Sequence, residues 1–437
     1  MRILKYSTRN FERKLGDFIR SRNRSEAVTE VVSGILEAVQ RDGDEAVLAF
    51  TEKFDRLKLT AAELRVPEAD LKRAAKGLSR RHRDAFREAI KIVSAFHREG
   101  LPRSWQGRNA HGALVGEQWY PIHRVGIYIP AGSVPLVSTI VMTTTLAKIA
   151  GVKEIAVFTS PGPSGEISPQ MLAGMHLCGI KEVYRIGGAQ AIAAAAFGTQ
   201  TIRAVDKVMG PGNAFVTEAQ RQVFGTVGVD LLPGPSEALA IADDTARADW
   251  LAADLLAQAE HGSGREKIYY VYSDPKQRDA VKAEIKKQLP QLKHEKAIRH
   301  VLKENTLFIE VANLDEAIEV ANFVAPEHLE LHVGKAHFKR MKRQITTSGA
   351  MLFGHETPTV LGDFTAGPSH TLPTGRTGRF FSGLKITDFM RRSSLVQYDR
   401  KSLVKAREVV QVFSELEDLD AHGNSMEIRF EDVGELQ

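Results

Sequence analysis

From residue 124 onward, short apolar runs alternate with longer segments of helical period. Val125-Gly-Ile-Tyr-Ile, Glu154-Ile-Ala-Val-Phe, Glu182-Val-Tyr-Arg-Ile and Lys207-Val-Met carry no polar alternation, the pattern of strands buried on both faces. Between and after them, helical periodicity runs over about 135–150, 168–178, 189–197 and 213–224. Strand and helix in alternation predict a parallel sheet with right-handed crossovers. A second alternating block follows Gly234-Pro-Ser-Glu237: a strand Ala238-Leu-Ala-Ile-Ala, a helix from Thr245 to Ala259, a strand at 268–272, a helix at about 275–288, a strand at 307–311 and a helix at 314–322.

Upstream the period is helical, with Val28, Val31, Val32, Ile35 and Val39, then Ala46 to Phe54 and Ala85 to Phe96. These helices are expected to cover a sheet formed later in the chain. Residues 1–25 are polar and basic, show no period that would bury much, and read as an arm. Beyond Phe380 the chain turns helical again, through Val404 to Leu416, and ends polar.

The predicted fold class is therefore α/β: two Rossmann-like parallel-sheet domains, one inserted in the other, plus small N- and C-terminal helical appendages. The expected boundaries are an arm over 1–25, a first domain from 26–130 and 236–381, an inserted domain over 131–235, and an appendage over 382–437.

With 437 residues, 43% of them hydrophobic, the chain has room for two or three ordinary globular domains. The 59 basic and 54 acidic residues leave a net charge of +5. The densest basic cluster, Arg80-Arg81-His82-Arg83, is followed at once by Asp84 and Glu88, so it reads as a solvated helix face and no nucleic-acid partner is expected. No apolar run is long enough to span a bilayer, and Met1 to Arg9 lacks the apolar core of a signal peptide. A single cysteine, Cys178, excludes an internal disulfide and suits the reducing cytoplasm. Any zinc would then be held by nitrogen and oxygen, with at most one sulfur.

Candidate chemistry sits where the periodicity breaks. Pro130-Ala131-Gly132, Gly187-Gly188 and Gly210-Pro211-Gly212 follow predicted strands, where parallel sheets bind ligands and helix N-termini favour phosphate. No Gly-x-Gly-x-x-Gly follows any strand, so the pattern alone leaves cofactor binding open. Trp250, Leu251, Leu255 and Ala259 share helical spacing, Thr245 can cap that helix and Gly262 suits its end. Gln258 and His261, three apart, can hold a zinc-like cation or simply cap the helix; two ligands do not close a site. Glu327-His328 follows Pro326 in an apparent turn and offers two proton-moving groups. The aperiodic loop 354–379 holds Gly362-Asp363-Phe364 and Pro368-Ser369-His370, with Asp363 a plausible oxygen ligand. His422 stands near the C-terminus behind Glu417-Asp418-Leu419-Asp420.

Together these residues resemble histidinol dehydrogenase, over about Val28 to Arg429. The most specific stretches are Arg185-Ile-Gly-Gly-Ala-Gln-Ala-Ile-Ala, Val208-Met-Gly-Pro-Gly-Asn, Gly234-Pro-Ser-Glu, Ala257-Gln-Ala-Glu-His, Ala325-Pro-Glu-His-Leu and Gly362-Asp-Phe. The resemblance implies NAD-dependent oxidation of L-histidinol to L-histidine through the aldehyde, with Glu327 and His328 as catalytic groups. It implies zinc held by Gln258, His261, Asp363 and His422, the last supplied by the other subunit of a homodimer with shared active sites. Tyr128, Gln190 and Asn213 match NAD-contacting positions. Ser236, His370 and Glu417 match substrate-contacting positions, alongside Glu327, His328 and the zinc ligands. The chain departs from the family at Pro130 to Ser138, at Asp418 where Gly is common, and at Gly262 where Asp is common. Two alternatives are a relative oxidising another primary alcohol, such as a sulfonated diol, and a non-catalytic nucleotide-binding protein with structural zinc.

Overall fold

Residues 1–20 are built into a sheet instead of forming a free arm. In the computed structural model, which describes residues 1–20, 26–131, 135–162 and 164–431, strand β1 (Arg2–Lys5) pairs in parallel with a strand whose first partner is Leu307. The helix Phe11–Arg20 then buries Phe11, Leu15, Phe18 and Ile19. Those positions form one narrow stripe at helical spacing, which the charged residues between them mask in a reading by composition. The remainder of the expected arm, 21–25, lies outside the described residues.

The chain divides into two compact units, Met1–Gly100 with Ile122–Phe389, and Leu101–Pro121 with Met390–Gln437. In the second unit, β2 (Trp105–Arg108) and β3 (Leu114–Pro121) pair antiparallel. In the first, β4 (Arg124–Tyr128), β5 (Glu154–Phe158), β6 (Glu182–Tyr184), β7 (Lys207–Met209) and β8 (Gly228–Val229) form a parallel sheet in the order β6-β5-β4-β7-β8. The other sheet of that unit contains β9 (Glu237–Ala242), β10 (Lys267–Tyr272), β11 (Thr306–Glu310), β12 (His328–His332) and β13 (Ala350–Phe353), in the parallel order β1-β11-β10-β9-β12-β13. Each sheet runs outward from its first central strand and then resumes on that strand's other side, at β4/β7 and at β9/β12. Such a reversal opens a crevice outside the carboxyl ends of the strands, where ligands of α/β sheets bind. No helix of the described residues is long and apolar enough to cross a membrane.

The early helices cover the five-stranded sheet, not the six-stranded one assigned to them by the expected boundaries. Val32, Ile35 and Val39 of the helix Glu26–Asp42 share one core with Ala156, Phe158, Ile192 and Val216. Branched side chains on that helix meet a nearly all-alanine partner, Gly188–Phe197, and small against large packs closely. β4, expected in the first domain, is likewise the centre of the five-stranded sheet. Both sheets lie in one compact unit. The C-terminal appendage differs too. It begins with a strand, β14 (Met390–Gln397), antiparallel to β3, so residues 101–121 belong to it; the helices Arg400–Leu416 and Asp420–Glu427 follow.

Arg124, 3% exposed, ties the amino ends of three strands together, reaching Glu154 and Glu182 each at 2.9 Å. Cys178 is buried in the core, where burial pushes its thiol up to about 11.

Candidate active site

β12 carries an alternation that the sequence reading took for a turn. Pro326 separates the helix Leu314–Val324 from a strand that starts at His328. With a period of two, His328, Glu330 and His332 face one side, while Leu329 and Leu331 enter the apolar core on the other. The helix Ala248–Ala259 lies across the polar side, because Asp254 and Gln258 are one turn apart and His332 Nε2 stands 3.4 Å from Asp254 Oδ2. That helix begins without the expected Thr245 cap: the Thr245 hydroxyl bonds Asp243, and Arg247 precedes the first turn. His261 lies just past the helix end, where its Nδ1 is 3.1 Å from the Gln258 carbonyl oxygen. With Nδ1–H donating to that carbonyl, Nε2 keeps a free lone pair, the tautomer a metal requires. Gly262 takes a left-handed φ of 89° and turns the chain away.

Glu327 and His328 are both buried. Glu327 Oε2 accepts the Glu237 peptide N–H at 2.8 Å. Burial pushes the Glu327 carboxyl up to about 8; the Glu237 and Asp363 carboxylates add to this, while the Glu237 N–H and the Ser236 hydroxyl oppose it. Burial drives His328 down to about 3, and the neighbouring imidazoles of His261 and His370 oppose a further positive charge there. The 3.9 Å approach of His328 to Glu327 is thus between an uncharged acid and an uncharged imidazole, not an ion pair. His370 is likewise held down to about 4 by burial. It sits 3.9 Å from Asp363 and 3.3 Å from the Thr139 hydroxyl, linking the short helix Thr359–Phe364, which carries Asp363 inside the stretch expected to be a loop, to the helix Val137–Ala150. Asp363 is pushed up to about 6 by burial, against the attraction of His261.

These placements bring Gln258, His261, Asp363, His370, Ser236, Glu327 and His328 into one neighbourhood at the amino end of β9 and β12. The donor set fits a zinc-like cation: both amide atoms of Gln258 are buried without a hydrogen-bond partner, and a free imidazole nitrogen and a carboxylate accompany it.

Tyr128, Gln190 and Asn213 gather at the carboxyl ends of β4 and β7. The Tyr128 hydroxyl accepts the Gly188 N–H at 3.2 Å, at the start of the helix that buries Gln190. Asn213 caps the next helix, its Oδ1 accepting from Phe215 and Val216. Gly210 has φ 113°, and a Cβ there would stand 2.1 Å from the Tyr128 carbonyl oxygen, so only glycine permits this closeness. Gln190 Oε1 is buried without a partner. A glycine-lined crevice with an orphaned amide at the sheet's reversal suits a dinucleotide.

Glu417 and His422 lie in the second unit, both exposed: Glu417 ends the helix Arg400–Leu416 and His422 is in Asp420–Glu427. Residues 132–134 of the family departure lie outside the described residues. Two features escaped the sequence reading. Glu237, pushed up to about 7 by burial, lies directly against Glu327, to which its peptide N–H donates. The polar set Asp254, Glu330 and His332 has one signal in the sequence, the His-Leu-Glu-Leu-His alternation of β12.

The family model for histidinol dehydrogenase matches residues 19–430. A histidinol dehydrogenase of Synechococcus sp. is 42% identical over 402 residues, covering 91% of each chain. One of Syntrophotalea carbinolica is 39% identical over 433 residues, 99% of this chain and all of the relative. The crystal structure of histidinol dehydrogenase from Elizabethkingia anophelis superposes with a TM-score of 0.92 at 31% identity, covering 98% of both chains.

Proposed function

The chain belongs to the histidinol dehydrogenase family, and on that premise we propose that it oxidises L-histidinol to L-histidine through L-histidinaldehyde, the final steps of histidine biosynthesis, with two NAD+ consumed in succession. The observation that carries this reading is the buried Glu327–His328 pair, whose two groups are forced to opposite protonation states beside Gln258, His261 and Asp363.

Zinc, held by Gln258, His261, Asp363 and His422 of the partner subunit, would supply two positions for the substrate's imidazole and amine and so orient its hydroxymethyl group. NAD, seated against Tyr128, Gln190 and Asn213, would supply the hydride acceptor. His328, uncharged because it is buried, takes the hydroxyl proton on a ring nitrogen during the first oxidation. Glu327, once ionised, takes a proton from water so that the oxygen adds to the aldehyde carbon. His328, having released its first proton to solvent, then accepts a proton from the resulting hydrate as the second hydride leaves. Ser236 and the Glu237 N–H hold the Glu327 carboxylate in place, and Ser236 and His370 contact the substrate.

A homodimer with shared sites is supported by the helix Arg400–Leu416, which leaves Val409, Val412, Phe413 and Leu416 exposed; an apolar strip of this kind marks an association surface. The lone thiol accords with a cytoplasmic enzyme.

The test is NADH formation by the purified enzyme. L-Histidinol should yield two NADH per molecule, with histidine as product, while a sulfonated diol yields none. Turnover of the diol without turnover of histidinol would transfer the proposal to the other alcohol. Turnover of neither would favour a non-catalytic protein.

A further inference from the structure

Asp254, Glu330 and His332 form a group that the proposed chemistry does not use. One ligand atom from each lies within 4.8 Å of the other two. His332 is 1% exposed, and its Nε2 has no hydrogen-bond partner although it is aimed between two carboxylates, 3.4 Å from Asp254 Oδ2 and 3.6 Å from Glu330 Oε2. Charge-assisted hydrogen bonds between such groups run about 2.7–2.9 Å, so the three are held apart. Their spacing has another explanation. Ligand atoms about 2.1 Å from a tetrahedrally coordinated zinc stand about 3.4 Å from one another, close to both separations.

Glu330 is already oriented for such a role. Its Oε1 accepts the Thr359 N–H at 2.8 Å and the Thr359 hydroxyl at 2.6 Å, which leaves Oε2 facing the other two. Charge argues the same way: burial pushes the Asp254 carboxyl up to about 7 and the neighbouring Glu330 carboxylate adds to it, a crowding of acids that one divalent cation between them would relieve. The neighbouring ring of His355 is 6.1 Å from that of His332, and its Nδ1 too is buried without a partner.

We propose that Asp254, Glu330 and His332 bind a second divalent transition-metal ion of the zinc type, apart from the set Gln258, His261 and Asp363. It joins β12 to the helix Ala248–Ala259 one turn ahead of Gln258, so its role is to brace the wall that carries the catalytic residues.

The experiment counts metal. Full-length protein is stripped with a chelator, reloaded with excess Zn2+, desalted and measured by elemental mass spectrometry, with melting temperature recorded in parallel. Wild type should hold two zinc per chain. His261→Asn and His332→Asn should each hold one, and His332→Asn should lose most of the second-site rise in melting temperature on zinc addition. Glu330→Gln, which keeps the acceptor for Thr359, serves if His332→Asn does not fold. A single zinc that His261→Asn removes and His332→Asn or Glu330→Gln retains would overturn the proposal. A single zinc with the reverse dependence would support it and count against the first site instead.

Discussion

Replacing Glu327 by glutamine separates the two oxidations. The glutamine carbonyl can still accept the Glu237 N–H now 2.8 Å from Oε2, so shape and position survive while the base is lost. The alcohol step needs no activated water and should slow little. The aldehyde step needs it and should slow by about 10²–10⁴, the usual worth of a general base. The structure adds a pH signature. With the Glu327 carboxyl raised to about 8 by burial, it is ionised to about one-tenth at pH 7 and about nine-tenths at pH 9. Wild-type kcat/KM for histidinaldehyde should therefore rise up to about tenfold across that interval. A cation bound beside Asp363 draws this limb toward lower pH, but the ordinary carboxylate value bounds it from below. The sign for stability runs the other way. The folded protein keeps the proton up to about 8 while the unfolded chain releases it near 4.5, so this group makes wild type less stable as pH rises through that window. Glu327→Gln should be insensitive there. The assay follows NADH from histidinol and, separately, from histidinaldehyde between pH 6 and 9, roughly the range about neutrality in which the group titrates. If Glu327→Gln oxidises the aldehyde at the wild-type rate, the assignment of the water-activating base is wrong.

Removing metal with a chelator should abolish NADH formation and zinc should restore it; full activity in metal-free enzyme would refute the orienting role given to Gln258, His261 and Asp363. His261→Ala and His422→Ala chains should each be inactive, yet mixed and refolded together they should regain activity in a heterodimer, because one of its two sites draws both intact histidines; no recovery in a verified heterodimer argues that each site is built from one chain. Arg124→Met should destabilise by about 3 kcal/mol, the lower end of the cost of breaking a buried ion pair, since Glu154 and Glu182 are 29% and 20% exposed and can regain some water; a urea-unfolding loss below about 1 kcal/mol would show that the arginine contributes little to holding the three strands.

Most strands and helices of residues 124–324 were legible because buried parallel strands and their covering helices have clear and different periods; the helix Glu295–Glu304 and the two-residue β8 were not among the expected elements. β5 coincides with the predicted Glu154–Phe158 run, and the helix Pro275–Gln288 with its predicted span. What periodicity could not supply is partnership. The apolar stripe of the helix Glu26–Asp42 shows that it packs, but only the alanine face of Gly188–Phe197 decides which sheet it covers. β12 shows the same limit: His328 to His332 alternates with the period of a strand, but only the structure shows that its polar face is buried too, against the helix Ala248–Ala259.

The amino-acid sequence alone determined the α/β class, the kinship with histidinol dehydrogenases and the residue types that move protons, because local period and motif are properties of neighbouring residues. Tertiary structure decided the rest. It placed β1 on the edge of the six-stranded sheet, joined residues 101–121 to the C-terminal segment, and set Asp254 against His332. It also drove Glu327 and His328 to opposite sides of neutrality. Pairing over long chain separations and loss of water around a charged group depend on what folds against what, and no stretch of neighbouring residues contains that information.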